Sequence, residues 1–397
     1  MKITVNLSHI TDFTAPQSKS VTIRALITAS FASMLTGMPQ SVILNKPCED
    51  VLSAIKSLDA LGFKGKIEKD RITFCGFEQK KTIPIVDTGS SAAVLRFLIP
   101  TAKYLYDEVD FVFSQQLGKR PIEPILECLS GHGVQFTKTA TTLHCKGHLS
   151  GNIFHIDSSI SSQFISGLLL GATLFGSEIH LHGDIVSSTY IDMTNEILRE
   201  YGGNIRKLSD GFTLSSGLTG KAVYTPEGDM SATAMLLTAG IIGNHPVTVH
   251  SAGLGSLQGD RMFIDIVKSL GGRFDIAGDS ITAYPGILSG GEISVKNCPD
   301  LYPALRLIAE FCEQKITFTD TNRLIFKESD RIQSTEDMLY CVKNGLTVNP
   351  QSDHRIAMAA GVSSAVVGDV TIENAECVNK SFPDFFEGII CHKPEIK

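Results

Sequence analysis

Ala15-Pro16-Gln17-Ser18-Lys19-Ser20-Val21-Thr22-Ile23-Arg24 separates two different hydrophobic periods. Before it, Ile3, Val5 and Leu7 alternate with polar residues, the period of a strand. After it, Ala25, Leu26, Ala29, Phe31 and Ala32 fall at helical spacing. Pro16 ends the extended segment, and Ser18 or Ser20 can cap the helix. Two serines, Lys19 and, one turn in, Arg24 at a helix N-terminus suit an anion. Free backbone N–H groups and the positive end of the helix dipole favour phosphate or carboxylate there. Taken alone, the stretch also reads as a plain helix cap with solvated basic residues.

The remaining chain narrows the choice. Its 397 residues suggest two domains or one large repetitive one, with 43% hydrophobic content to fill a core. No run looks transmembrane or disordered. A net charge of -7 argues against a general binder of nucleic acid or membrane surfaces, so clustered basic residues indicate a local site. Met1-Lys2-Ile3-Thr4-Val5 reads as a strand rather than a targeting peptide. Nine cysteines without a C-x-x-C or a Cys/His cluster read as reduced thiols of a cytosolic protein, with no zinc site expected.

A repeat runs beneath the sequence. Short strands marked by Val42, Val109, Ile179, Val247, Ile316 and Val370 recur at spacings of 67, 70, 68, 69 and 54. Amphipathic helices ending at Gly62, Gly133, Gly202, Gly271 and Gly345 recur at 71, 69, 69 and 74, each glycine a natural C-terminal cap. The two series run in step, giving about six copies of one unit of class α/β or α+β. The last unit reads as short, because only Leu346–Ser352 separates its glycine from the next motif. Helices over Ser166–Ala172, Ala232–Ile242 and Ala357–Val367 are apolar nearly all round and rich in small residues, hence buried. Ile191–Tyr201 keeps a charged face and lies outside. Buried helices within sheets and amphipathic helices invert the usual barrel.

Polar residues gather just before the buried helices. Asp157 to Gln163, Glu227-Gly228-Asp229-Met230-Ser231, Asp353-His354-Arg355, and Ser90-Ser91 followed by Arg96 are the four cases. Each alone reads as an ordinary N-cap. In register with the opening stretch, they bring several helix N-termini towards a common centre, a strong anion site. Lys327-Glu328-Ser329-Asp330-Arg331 sets Lys327 and Arg331 one turn apart with Glu328 beside them, or else is a solvated charge run.

Together S-K-S-V-T-I-R, S-S-Q-F, Y-I-D-M-T, E-G-D-M-S, L-Q-G-D, K-E-S-D-R, S-D-H-R-I-A-M and K-S-F-P-D-F-F resemble, in order, the motifs of the 5-enolpyruvylshikimate-3-phosphate synthase family. The resemblance implies a two-domain inverse α/β barrel of six βαβαββ units, three per domain. One domain would be residues 18–227 and the other 1–17 with 228–397, the active site lying in the cleft between them. It implies addition of the 5-hydroxyl of shikimate 3-phosphate to phosphoenolpyruvate (PEP), then loss of phosphate from a tetrahedral intermediate. No cofactor or metal is implied. The implied partners are two small molecules, without nucleic acid or membrane, for a monomer in the cytoplasm.

Residue roles follow by matching position. Lys19, Asp300, Glu328 and Lys380 would form the catalytic set, Glu328 serving the methylene carbon and Asp300 taking the hydroxyl proton. Lys19, Ser20, Arg24, Ser161, Ser162, Gln163, Ser187, Tyr190, Asp300 and Lys327 would hold shikimate 3-phosphate. Lys19, Ala92, Arg120, Gln163, Arg331, Arg355 and Lys380 would hold PEP. His354 would support rather than catalyse.

The sequence departs from the family pattern in places. Gln17 replaces a glycine, Ala92 replaces a glycine facing PEP, and Gln116 replaces an arginine contacting PEP, leaving Lys119 to compensate. An asparagine contacting the substrate phosphate aligns with Arg323. A sister transferase acting on UDP-N-acetylglucosamine carries a loop cysteine. Ser114–Lys119 has none here, the nearest being Cys75 and Cys128. A non-catalytic relative would have no need of the paired proton-transfer groups.

Overall fold

The computed structural model describes residues 1–7 and 11–387. The chain forms two compact units, Lys19–Pro226 and a second built from Met1–Ser18 with Glu227–Lys397. Each has its own hydrophobic core.

Three long helices form the centre of the first unit: Lys19–Thr36, Ala92–Leu105 and Ser162–Phe175. They pack on one another and are buried on nearly every side. Small residues permit the close approach. A methyl group added at Gly167 would stand 2.4 Å from the carbonyl oxygen of Arg96 on the neighbouring helix. Three four-stranded sheets enclose these helices. Each pairs one parallel neighbour with an antiparallel hairpin, as where Ser177–His182 lies parallel to Ile153–Asp157 and antiparallel to Gly211–Leu214.

The second unit has the same plan around Met230–Ile242, Tyr302–Glu310 and His354–Val367, which also pack together. One sheet is complete, with Asp12–Thr14 parallel to Val247–His250 and the hairpin Arg273–Ala277/Ser280–Tyr284 beyond. The strand that leads into the opening helix is therefore Asp12–Thr14. The alternating run at the start forms Lys2–Val5 and pairs antiparallel with Val370–Glu373 instead.

The short repeat is displaced from its expected place. Gly291–Ser294 and Ile316–Thr319 form a sheet of two strands, and no hairpin follows the helix Arg331–Lys343 among the described residues. Instead the chain turns at Gly345 and Val348 already bridges Ile372 of the last sheet. The missing hairpin thus belongs to the fifth unit, whereas the sequence assigned the loss to the last one. All five expected helix-capping glycines, from Gly62 to Gly345, have positive φ.

The passages between the units are knotted into the second one. Ser18 N–H donates to the Glu227 carbonyl (2.8 Å), Asp229 N–H donates to that of Pro16 (2.9 Å), and Gln17 bridges Gly228. Gln258 clamps both strands: its Oε1 accepts from Ser18 Oγ and Met230 N–H, and its Nε2 donates to Glu227 and the Gly228 carbonyl. These bonds move Ser18 and Glu227 to the unit opposite their expected one. A side chain at Gly228 would strike the Ser251 carbonyl at 1.8 Å, so the crossing admits only glycine there.

Candidate active site

The second unit gathers six of the expected residues into one ionic cluster. Asp300 follows Pro299 in a 3-10 turn that runs into Tyr302–Glu310. Arg331 begins Arg331–Lys343, capped by the Asp330 carboxylate. Asp353 caps His354–Val367 by accepting from Arg355 N–H at 2.9 Å. Helix starts thus aim all three at one place.

Arg331 is the hub, its side chain 1% exposed. Its Nη1 meets Asp300 Oδ1 at 2.6 Å, its Nη2 meets Glu328 Oε2 at 2.6 Å, and its Nε meets Asp353 Oδ2 at 3.0 Å. Lys327 Nζ approaches Asp300 Oδ1 at 3.2 Å, Arg355 Nη2 approaches Asp300 Oδ2 at 3.2 Å, and Lys380 Nζ stands 3.6 Å from Glu328 Oε1. Burial alone would raise the Asp300 carboxyl, but Arg355, Lys327 and Arg331 outweigh it and hold it well below the usual carboxylate range. Burial likewise opposes the charge on Arg331, and Asp353, Glu328 and Asp300 more than restore it. Cations that can release a carboxylate to take an incoming oxyanion are thereby kept charged in a dry place.

The first unit holds the other expected residues. Lys19 Nζ pairs with the buried Asp50 at 3.1 Å. Arg24 is 2% exposed, with Nε on Thr194 Oγ1 (2.7 Å) and Nη2 on Ser166 Oγ (3.3 Å). Its Nη1 and Nη2 also donate to the carbonyls of Ser20 and Tyr190, and the guanidinium covers the Phe97 ring. Burial brings its pKa down to about 10. Arg24 therefore ties together Ser20 and Tyr190, two of the expected ligand residues. Ser187, at the N-cap of Ser188–Glu200, takes a left-handed backbone (φ 52°), a strained setting that functional positions often show.

Ser161 caps Ser162–Phe175 by accepting from Gln163 N–H (3.3 Å). The Gln163 side-chain Oε1 accepts from Arg96 Nη1 at 2.8 Å, while Arg96 Nη2 donates to the backbone carbonyl of Pro121 beside Arg120. Arg96 rises from the helix that Ala92 begins, so one buried guanidinium links the segments bearing Ala92, Arg120 and Gln163. Of the four expected N-caps, Ser161, Asp229 and Asp353 make the bond; Ser91 holds the cap position without one. Ser20 lies inside its helix, and the Ser18 hydroxyl turns to Gln258.

Asp50, Arg96, Ser231 and Asp260 were not among the expected site residues. Arg96 was visible as a cation one turn into a buried helix, and Asp260 as the acid of L-Q-G-D. Nothing in the sequence paired Asp50 with Lys19. Among the described residues, no group of three or more His, Cys, Asp and Glu is arranged to hold a metal ion. No helix there is long and apolar enough to cross a membrane.

The family profile described as EPSP synthase (3-phosphoshikimate 1-carboxyvinyltransferase) matches residues 9–389. The chain belongs to the EPSP synthase family. It is 30% identical over 401 residues to the 3-phosphoshikimate 1-carboxyvinyltransferase of Clostridium perfringens strain SM101, covering 94% of this chain and 93% of that one. The enzyme of the same name from Nitrosopumilus maritimus is 31% identical over 415 residues, covering 98% and 97%. Among solved structures, the EPSP synthase of Acinetobacter baumannii superposes with a TM-score of 0.74 at 23% identity, covering 98% of this chain and 97% of that one. The enolpyruvyl transferase NikO of Streptomyces tendae gives 0.72 at 13% identity, covering 98% and 96%. At such identities these two likenesses establish the fold, which the EPSP synthase family shares with this chain.

Proposed function

We propose that the chain transfers the enolpyruvyl group of PEP to the 5-hydroxyl of shikimate 3-phosphate and releases phosphate. In the addition, the hydroxyl oxygen bonds to C2 of PEP, Asp300 accepts its proton, and Glu328 supplies a proton to C3. Glu328 therefore enters the addition as the acid; in the elimination it takes a proton back from C3, the C2–O bond to phosphate breaks, and the proton held by Asp300 leaves with the phosphate. Arg331, Arg355 and Lys380 serve the carboxylate and phosphate of PEP, with Gln163 and Lys19. Ser20, Ser161, Ser162, Ser187, Tyr190 and Lys327 serve shikimate 3-phosphate.

One observation carries this reading: Arg331 holds Asp300 and Glu328 on separate nitrogens of one guanidinium. The two carboxylates keep the cations charged and also add two groups able to exchange protons, which anion binding alone does not use. A proton acceptor and a proton donor on either side of a reacting double bond need that pairing. The family membership supplies the substrates. The test is phosphate release from purified protein given both substrates, with Glu328→Ala as control. Release that requires both substrates and vanishes in the control is expected. Binding of both without release would overturn the reading in favour of a ligand-binding relative.

A further inference from the structure

We propose that Asp260 is a positioning residue for this reaction, aiming the Arg355 guanidinium through the Ser231 hydroxyl. The inference rests on the enolpyruvyl-transfer reading given above. Asp260 lies in the 3-10 turn Gly259–Arg261, and Ser231 in the first turn of Met230–Ile242. Both are buried, Asp260 to 1% exposure. Ser231 Oγ contacts Asp260 Oδ2, and Arg355 Nη2 reaches Ser231 Oγ at 3.1 Å and Asp300 Oδ2 at 3.2 Å.

The hydrogen-bond direction along this chain is fixed. Arginine has only donors, so Ser231 accepts from Arg355 and must give its own hydrogen to Asp260. Among the described residues, both side-chain hydrogen bonds of Arg355 use Nη2, which leaves the Nε and Nη1 hydrogens for an oxyanion. Arg355 therefore stands between two carboxylates with different duties. Asp300 loses its negative charge when it takes the hydroxyl proton, and its hold on Arg355 weakens at that moment. Asp260, joined to Arg355 only through the Ser231 hydroxyl, keeps its charge and holds the guanidinium still through the step.

Among the described residues, the charged and titratable groups that face Asp260 include Asp300, Arg355, Asp229 and the Cys298 thiol. Burial, reinforced by Asp300, pushes the Asp260 carboxyl up to about 6. The relay consequently loses its charge in mildly acid solution, and the apparent affinity for PEP falls with it.

The experiment is steady-state kinetics on the full chain, varying each substrate in turn for wild type, Asp260→Asn, Ser231→Ala and the double variant. Asp260→Asn keeps the shape and an acceptor for Ser231 while removing the charge. The expected result is a KM for PEP raised about tenfold in each single variant, with the KM for shikimate 3-phosphate changed less than about twofold. The double variant should be no worse than the worse single one, since both act through Arg355. Below about pH 6 the wild-type KM for PEP should rise, and that of Asp260→Asn should stay level. Equal loss for both substrates, additive losses, or an acid rise retained in Asp260→Asn would overturn the relay. Wild-type protein that releases no phosphate would overturn the underlying function, and the relay with it.

Discussion

Arg331 Nη1 and Asp300 Oδ1 lie 2.6 Å apart on a guanidinium that is 1% exposed and also grips Glu328 and Asp353. The pair joins the expected acceptor of the hydroxyl proton to an expected holder of PEP. Removing the arginine would leave three carboxylates without their common partner. Arg331→Ala should lose about 3–5 kcal/mol of stability in urea unfolding, the usual effect of breaking a buried ion pair from one side. Arg331→Lys, with one point charge for three contacts, should fold better and still lose most of its kcat/KM for PEP.

Glu328 is held differently, by Arg331 at one oxygen and Lys380 at the other. Glu328→Gln preserves the size and an acceptor while removing the proton shuttle. Phosphate release should fall about 10²–10⁴-fold, as for loss of a general acid–base group, with the KM for shikimate 3-phosphate little changed. Exchange of solvent deuterium into the C3 position of PEP should fall in parallel. Retained exchange would assign the carbon proton to another group.

Ala92 is the first residue of its helix and 4% exposed. By the family resemblance a glycine faces PEP here, and the extra methyl crowds a bulkier PEP mimic. Wild-type protein should resist glyphosate, and Ala92→Gly should lower the half-inhibitory concentration by about tenfold or more. A potent inhibition curve for the unaltered chain would refute this.

Asp260 carries a stability cost with a definite sign. Its carboxyl moves from an ordinary 3.8 to about 6 on folding, so the folded chain binds that proton more tightly than the unfolded one. Its contribution to stability is thus present at low pH and is lost as pH rises from about 4 through 6. Asp260→Asn lacks this titration. Its Tm relative to wild type should climb across that interval and level off near pH 7, where the variant is the more stable but the poorer enzyme. A Tm difference independent of pH would contradict the assignment.

The sequence carried the architecture well because five of the six repeats end an outer helix on a glycine and several bury a helix rich in small residues. Gly62, Gly133, Gly202, Gly271 and Gly345 are placed by local backbone geometry, which a single sequence records. It was less informative where the partner is distant. Lys2–Val5 reads as a strand, but its pairing with Val370–Glu373 depends on the chain's return after more than three hundred residues. The ionic cluster was visible as residue types, Lys327, Glu328, Arg331 and Arg355, since charges near helix starts form a local pattern. The contacts that arrange it were not, because Asp50 with Lys19 and Asp260 with Ser231 join different elements without any periodic signal. Arg24 shows the same limit. Its position suggested a ligand contact, and only packing against Phe97 and Thr194 reveals how far it is enclosed.

The crossing at Gln17–Ser18 and Glu227–Gly228 brings the two ends of Lys19–Pro226 side by side on one ladder. That segment is thus a continuous insert with adjoining termini and a complete core of its own. It should be excisable: residues 19–226 made alone meet the conditions for independent folding, and a short linker from Ser18 to Glu227 would rejoin the host without stretching it.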